Sequence, residues 1–116
     1  MTDNPKDIDE RLEELKQAYV NGLGVKIEEV EAAARAAGED PLSGQGLEAL
    51  DTLKKLVHKL AGSGGTFGFA EISNAAERAE TACGAMLETP SVDLWQTIEG
   101  HLEELRNAVD DAGGGG

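Results

Sequence analysis

The segment Val57 to Phe69, VHKLAGSGGTFGF, sets a nucleophilic side chain, His58, just before a run of small residues. Imidazole is largely neutral at pH 7 and attacks electrophilic centres such as phosphorus, so a histidine can take up and release a phosphoryl group. Gly62, Gly64 and Gly65 follow within two helical turns, and Gly68 stands ten residues after His58. Missing side chains leave room for another molecule to come close.

At about 100° per residue, Leu53, Val57 and Leu60 fall on a face turned away from His58, with Leu56 nearly opposite it. Lys54, Lys55, Ala61, Gly62 and Gly65 lie within about 60° of His58 on the same wheel. The histidine is therefore expected on the exposed side of its helix. Two readings of the glycines stand side by side. In one the helix ends near Ala61 and GSGG is a loop. In the other the helix continues, at roughly 1 kcal/mol per glycine relative to alanine, and Ala61, Gly62 and Gly65 form a bare patch where a partner can dock. A nucleotide loop does not fit: there is no G-x-x-x-x-G-K-[ST], and the glycines follow a helix instead of opening one.

The elements that hold this segment are helical. Ile8, Leu12, Leu15, Tyr19, Leu23, Ile27, Val30, Ala34 and Ala37 recur at spacings of three and four, which predicts a helical N-terminal third. Gly22 and Gly24 leave open whether this is one helix or two with a bend, the first a short extra one. Asn4 and Pro5 suit a cap and first helical position, and Gly38 to Gly46, GEDPLSGQG, reads as a loop. Leu47, Leu50, Leu53, Leu56, Val57 and Leu60 predict a second helix ending near Gly68. Ile72, Ala75, Ala76, Ala79, Cys83 and Met86 predict a third that stops before Pro90. Ser91 caps a fourth, with Trp95, Ile98, Leu102, Leu105 and Val109 as its stripe. No strand alternation is visible. The expected fold is all-α, an antiparallel up-and-down bundle with a four-helix core over residues 1–112 and a flexible glycine tail at 113–116.

Composition narrows the chemistry. The chain has 116 residues, 40% of them hydrophobic, which suits one domain. Ten Lys and Arg against 23 Asp and Glu give a net charge of −13, which argues against nucleic acid and anionic membranes as partners. No apolar run reaches the roughly 20 residues of a membrane span, and the N-terminus has no signal-like core, so a cytoplasmic location is expected. The single cysteine, Cys83, sits in an apolar stripe and reads as packing, with no metal or redox centre indicated.

His58-Lys59-Leu60-Ala61-Gly62-Ser63 followed by Gly68 resembles the signature of the histidine-containing phosphotransfer (HPt) family: histidine, any residue, leucine, lysine, glycine, serine or alanine, then a glycine ten residues after the histidine. The GGTFGF ending is similar to the phosphotransfer domain of bacterial chemotaxis histidine kinases. The resemblance spans the bundle from about Ile8 to Val109, with 57–69 as its motif. It implies an antiparallel helical bundle with a phosphoryl-accepting histidine exposed on one helix. That histidine would exchange phosphate with receiver domains and a sensor or hybrid histidine kinase of a two-component relay. A monomer without an ATP site is implied, needing no cofactor of its own, with Mg²⁺ on the receiver. One position departs from the signature: the family's lysine is Ala61 here.

Positive charge for a phosphoryl group would then come from Lys54, Lys55 or Lys59, although an ordinary solvated lysine face is an equal reading. If the second and third helices fold back about Phe69, position 58 lies opposite Glu80. A carboxylate there would hold one imidazole nitrogen and leave the other as nucleophile, and the chemotaxis kinases place an orienting glutamate at the matching position. Glu77 is the fallback. His101, with no glycines after it, reads as structural or idle, and Phe67 and Phe69 as packing. Two other readings stay open: the same domain cut from a chemotaxis-type kinase, and a helical scaffold whose histidine is unused.

Overall fold

A computed structural model describes residues 5–113, with side chains from Ile8 onward. It is all-helical: α1 runs Pro5–Glu39, α2 Gly44–Thr66, α3 Ala70–Glu88 and α4 Val92–Ala112. Each helix packs mainly on its neighbours in sequence, and α1 also touches α4, which closes an antiparallel bundle. No described helix is long and apolar enough to cross a membrane.

The stripes of α2, α3 and α4 meet in one core. Leu50, Leu53, Val57 and Leu60 face Ile72, Ala75, Ala76, Ala79, Cys83 and Met86, with Ile98 and Leu105 across from them. Burying one such leucine or isoleucine contributes about 1.5–3 kcal/mol, which outweighs the local cost of a helical glycine. Cys83 is fully buried, and that burial pushes its thiol up to about 12, against the pull of Lys54 and with some help from Glu80.

α1 is one continuous helix of 35 residues, so there is no extra short helix and no break at Gly22 or Gly24. Tyr19, Leu23, Ile27 and Val30 are buried on either side of the two glycines, and that packing holds the helix through them. The expected stripe departs from the core at its beginning. Ile8, Leu12 and Leu15 are exposed, because α1 extends past the end of the bundle and meets no helix there. The loop expected over 38–46 shrinks to residues 40–43. Ser43 caps α2 by accepting from the Gly46 amide at 2.9 Å, and a Cβ on Gly46 would lie 2.1 Å from the Asp40 carbonyl.

α2 stays helical through the glycine-rich segment and stops at Thr66. Gly68 takes the left-handed conformation at φ +83°, the Gly68 amide donates to the Gly65 carbonyl, and Phe69 donates to Gly64 at 2.7 Å. This is the paired-bond stop that glycine permits after a helix. Ser91 caps α4 through the Leu94 amide at 3.0 Å. Gly113, expected in the tail, ends α4 as its cap, its amide bonded to Val109. Asn4 and the remaining glycines at 114–116 lie outside the described residues.

Candidate functional site

α2 lays down the site by its own periodicity. Val57 and Leu60 are buried at 0% and 2% exposure, so His58 between them is turned outward, its side chain 71% exposed. The α2–α3 turn folds the two helices back on each other and brings Glu80 of α3 to His58, with Nδ1 2.7 Å from Oε2. Glu80 is itself largely covered, its side chain 26% exposed. An ionised carboxylate only accepts, so Nδ1 carries the proton and donates to it, and Nε2 keeps its lone pair. The result is an oriented imidazole with one nitrogen committed and the other open.

The glycines after His58 divide into two kinds. Gly62 is exposed, and a Cβ there would meet nothing within 4 Å. Gly65 is exposed as well, its added Cβ 3.4 Å from Ser73 Oγ. Gly64 is buried and faces α3, where a Cβ would crowd the Ser73 amide at 3.1 Å and Ile72 Cγ2 at 3.2 Å. Gly64 therefore serves helix packing, and Gly62 and Gly65 leave the surface beside His58 bare. Ala61 is half-buried, and its carbonyl accepts from Ser73 Oγ at 2.8 Å. Ser73 ties α3 to α2 two turns from Glu80, a role carried by a serine among alanines that the sequence reading passed over.

The three lysines near His58 do not form one cluster. Lys54 is half-buried and leans on α3, its Cε 3.7 Å from where a Cβ of Gly84 would lie. Lys55 is exposed and paired with Asp51 at 3.0 Å. Lys59 points to the other flank of α2, where it lines a groove with Lys26, Glu29 and Ser63. Of the three, Lys54 is the one on the Glu80 side. Glu77, the fallback partner, lies in the α3–α4 groove with Arg78 and His101 and not beside His58.

The end of the bundle above the site is fixed by Tyr19 of α1. Its hydroxyl pairs with Ser63 Oγ at 2.8 Å, and its ring stacks on Phe67 and Phe69 with centroids 4.7 Å and 5.7 Å away. His101 is differently placed: Nδ1 is buried without a hydrogen-bond partner, 3.5 Å from Glu104 Oε1.

Comparison with known proteins gives one family. The family model of the Hpt domain matches residues 6–112. Searches of curated proteins and of solved structures give no match.

Proposed function

The chain belongs to the Hpt domain family, whose members carry phosphoryl groups on histidine in phosphorelays, and from that premise we propose that His58 is the phosphoryl carrier of this one. The observation that carries the reading is the pairing of an exposed imidazole with Glu80 at 2.7 Å. In the proposed reaction the Nε2 lone pair attacks the phosphorus of an aspartyl phosphate on a receiver domain. The N–P bond forms, the P–O bond to the receiver carboxylate breaks, and the carboxylate leaves with the electron pair. No proton has to move, because Nδ1 is already protonated toward Glu80. The phosphorylated ring is cationic, and the Glu80 carboxylate offsets that charge.

Return transfer reverses the steps, with a receiver carboxylate attacking phosphorus and neutral imidazole leaving. Gly62 and Gly65 supply the open approach, and of the three lysines around His58 it is Lys54 that lies on the Glu80 side. Mg²⁺ and the acidic pocket belong to the receiver. The setting is a bacterial two-component relay in the cytoplasm, with a sensor or hybrid kinase upstream.

The test is incubation of the purified chain with phosphorylated receiver domains, followed by mass spectrometry under conditions that preserve acid-labile phosphate. Phosphate on His58 is expected. Acid-stable phosphoserine, or label that persists in His58→Gln, overturns the assignment, and an unlabelled chain against every receiver and kinase of its genome leaves the helical scaffold as the better reading.

A further inference from the structure

Gly64 and Gly65 both border one residue of α3, Ser73. A Cβ on Gly64 would lie 3.1 Å from the Ser73 amide nitrogen, and one on Gly65 3.4 Å from the Ser73 hydroxyl. The absent side chains let the two helix backbones come close at this level, and the short Ser73 side chain crosses the gap to donate to the Ala61 carbonyl at 2.8 Å. Ala61 follows His58 by three residues on α2, and Ser73 precedes Glu80 by seven on α3. At about 100° per residue, a step of seven keeps Ser73 and Glu80 within about 20° of one another around the helix. The Ser73 link and the His58–Glu80 pair therefore lie on one seam, about 10 Å apart along α3.

The rest of that seam does little to fix the rotation of α3. Between Ile72 and Cys83 its buried residues are all alanines, Ala75, Ala76, Ala79 and Ala82, and methyl groups hold a helix about its own axis less firmly than interlocked large side chains. The short turn after Thr66 limits sliding of α3 along α2, but not its rotation. With side chains a helix is about 10–12 Å across, so a rotation of about 20° carries a side-chain tip about 2 Å. Starting from 2.7 Å, a displacement of that size takes Glu80 Oε2 out of hydrogen-bond reach of Nδ1.

We propose that Ser73 is a positioning residue: its hydrogen bond to Ala61 holds α3 at the rotation that keeps Glu80 on His58 Nδ1, and so keeps the imidazole proton on Nδ1 and the lone pair on Nε2. Ser73 acts through Glu80, two turns away, and not on the reacting atoms. The partner of one ring nitrogen decides which nitrogen carries the proton, so loosening α3 changes the ring before any phosphate arrives. The effect on transfer rests on the carrier reading of His58, whereas the effect on the ring does not.

Long-range proton–nitrogen correlation spectra of the isotope-labelled full chain test this at about pH 8.5, where imidazole is neutral. They read which ring nitrogen carries the proton, and His58→Gln assigns the two histidines. The parent should show His58 protonated on Nδ1. Ser73→Ala should lower its ratio of Nδ1–H to Nε2–H forms about three- to tenfold, the bias that one ordinary hydrogen bond supplies, with the helical circular dichroism retained. Tyr19→Phe removes a hydrogen bond of 2.8 Å between α1 and α2 and should leave the ratio at the parent value, which separates the α2–α3 link from a general loss of stability. Transfer from a phosphorylated receiver should slow about two- to fivefold in Ser73→Ala. A parent ring protonated on Nε2, a ratio unchanged in Ser73→Ala, or one that falls equally in Tyr19→Phe would each overturn the proposal. The spectra need no partner, so a parent that takes up no phosphate counts against the carrier reading alone.

Discussion

His58 and His101 each have a glutamate oxygen beside Nδ1, at 2.7 Å and 3.5 Å. The glutamate of His58 comes from the neighbouring helix and serves that ring, whereas Glu104 sits one turn along on the same helix and is held by Arg78 at 2.7 Å. Arg78, through its hydrogen bond first, keeps the Glu104 carboxyl below its ordinary 4.5. The His58 side chain is 71% exposed and that of His101 23%. The pair teaches that a nearby carboxylate does not by itself leave a histidine both oriented and open. The carboxylate has to be free to orient the ring, and the opposite nitrogen has to be open to an incoming phosphorus.

The widest separation between the two is expected in His58→Gln against His101→Gln. The first should abolish phosphoryl uptake and the second should leave the rate within about twofold, since it is far from the proposed transfer. Loss of uptake in His101→Gln with an intact fold would break the comparison. Next, Glu80→Ala should slow transfer roughly ten- to a hundredfold, the worth of a charge-assisted hydrogen bond of about 1.5–3 kcal/mol. Glu80→Gln, which keeps an acceptor for Nδ1 but not the charge, should fall between. Glu104→Gln should not alter the rate. Single-turnover kinetics with a phosphorylated receiver measure all three.

A smaller effect separates the glycines near each ring, Gly62 and Gly100, both of which have open space where a Cβ would go. Gly62→Gln and Gly100→Ala should each stabilise the helix by up to about 1 kcal/mol in thermal denaturation. Only Gly62→Gln should slow transfer, by several-fold, because only there does the proposed docking bring a partner close. Equal transfer by Gly62→Gln and parent would show that partners dock elsewhere.

The smallest effect is in acid. A carboxyl held below its unfolded value stabilises the fold above that value, and the contribution is lost as pH falls through the lower, folded one. Glu104 follows this rule through Arg78. The melting temperatures of parent and Glu104→Gln should differ slightly at pH 6, and the difference should shrink as the pH falls below 4.5 and through the lowered folded value. A difference that does not shrink with falling pH would mean that the side chain acts by packing and not by charge.

The helical framework was legible because burial on one side leaves a period of three to four. Val57 and Leu60 placed His58 outside, and the fold-back about Phe69 brought position 80 to it by counting alone. Periodicity does not say what lies across from a face. Ile8, Leu12 and Leu15 therefore looked like core, although α1 outruns the helices it packs on. Nor does it separate glycines by direction: Gly64 takes part in helix contact, Gly62 in none. The lysines were close in sequence, but long side chains are drawn to different neighbours, Lys55 to Asp51 and Lys54 to the surface of α3. Ser73 and the Tyr19–Ser63 pair depend on two helices meeting, which no single stretch of sequence displays.

The brief turn between α2 and α3 also bears on how the chain folds. His58, Glu80, Ser73 and the glycine patch all belong to one hairpin joined through Phe67, Gly68 and Phe69, so closing it requires only a short loop and a small loss of chain entropy. Neighbour-to-neighbour helices of this kind give a low contact order and rapid folding. The imidazole and its carboxylate can thus meet at an early stage, before α1 and α4 dock. Substitutions in the outer helices are then expected to raise the unfolding rate more than they disturb the alignment of imidazole and carboxylate.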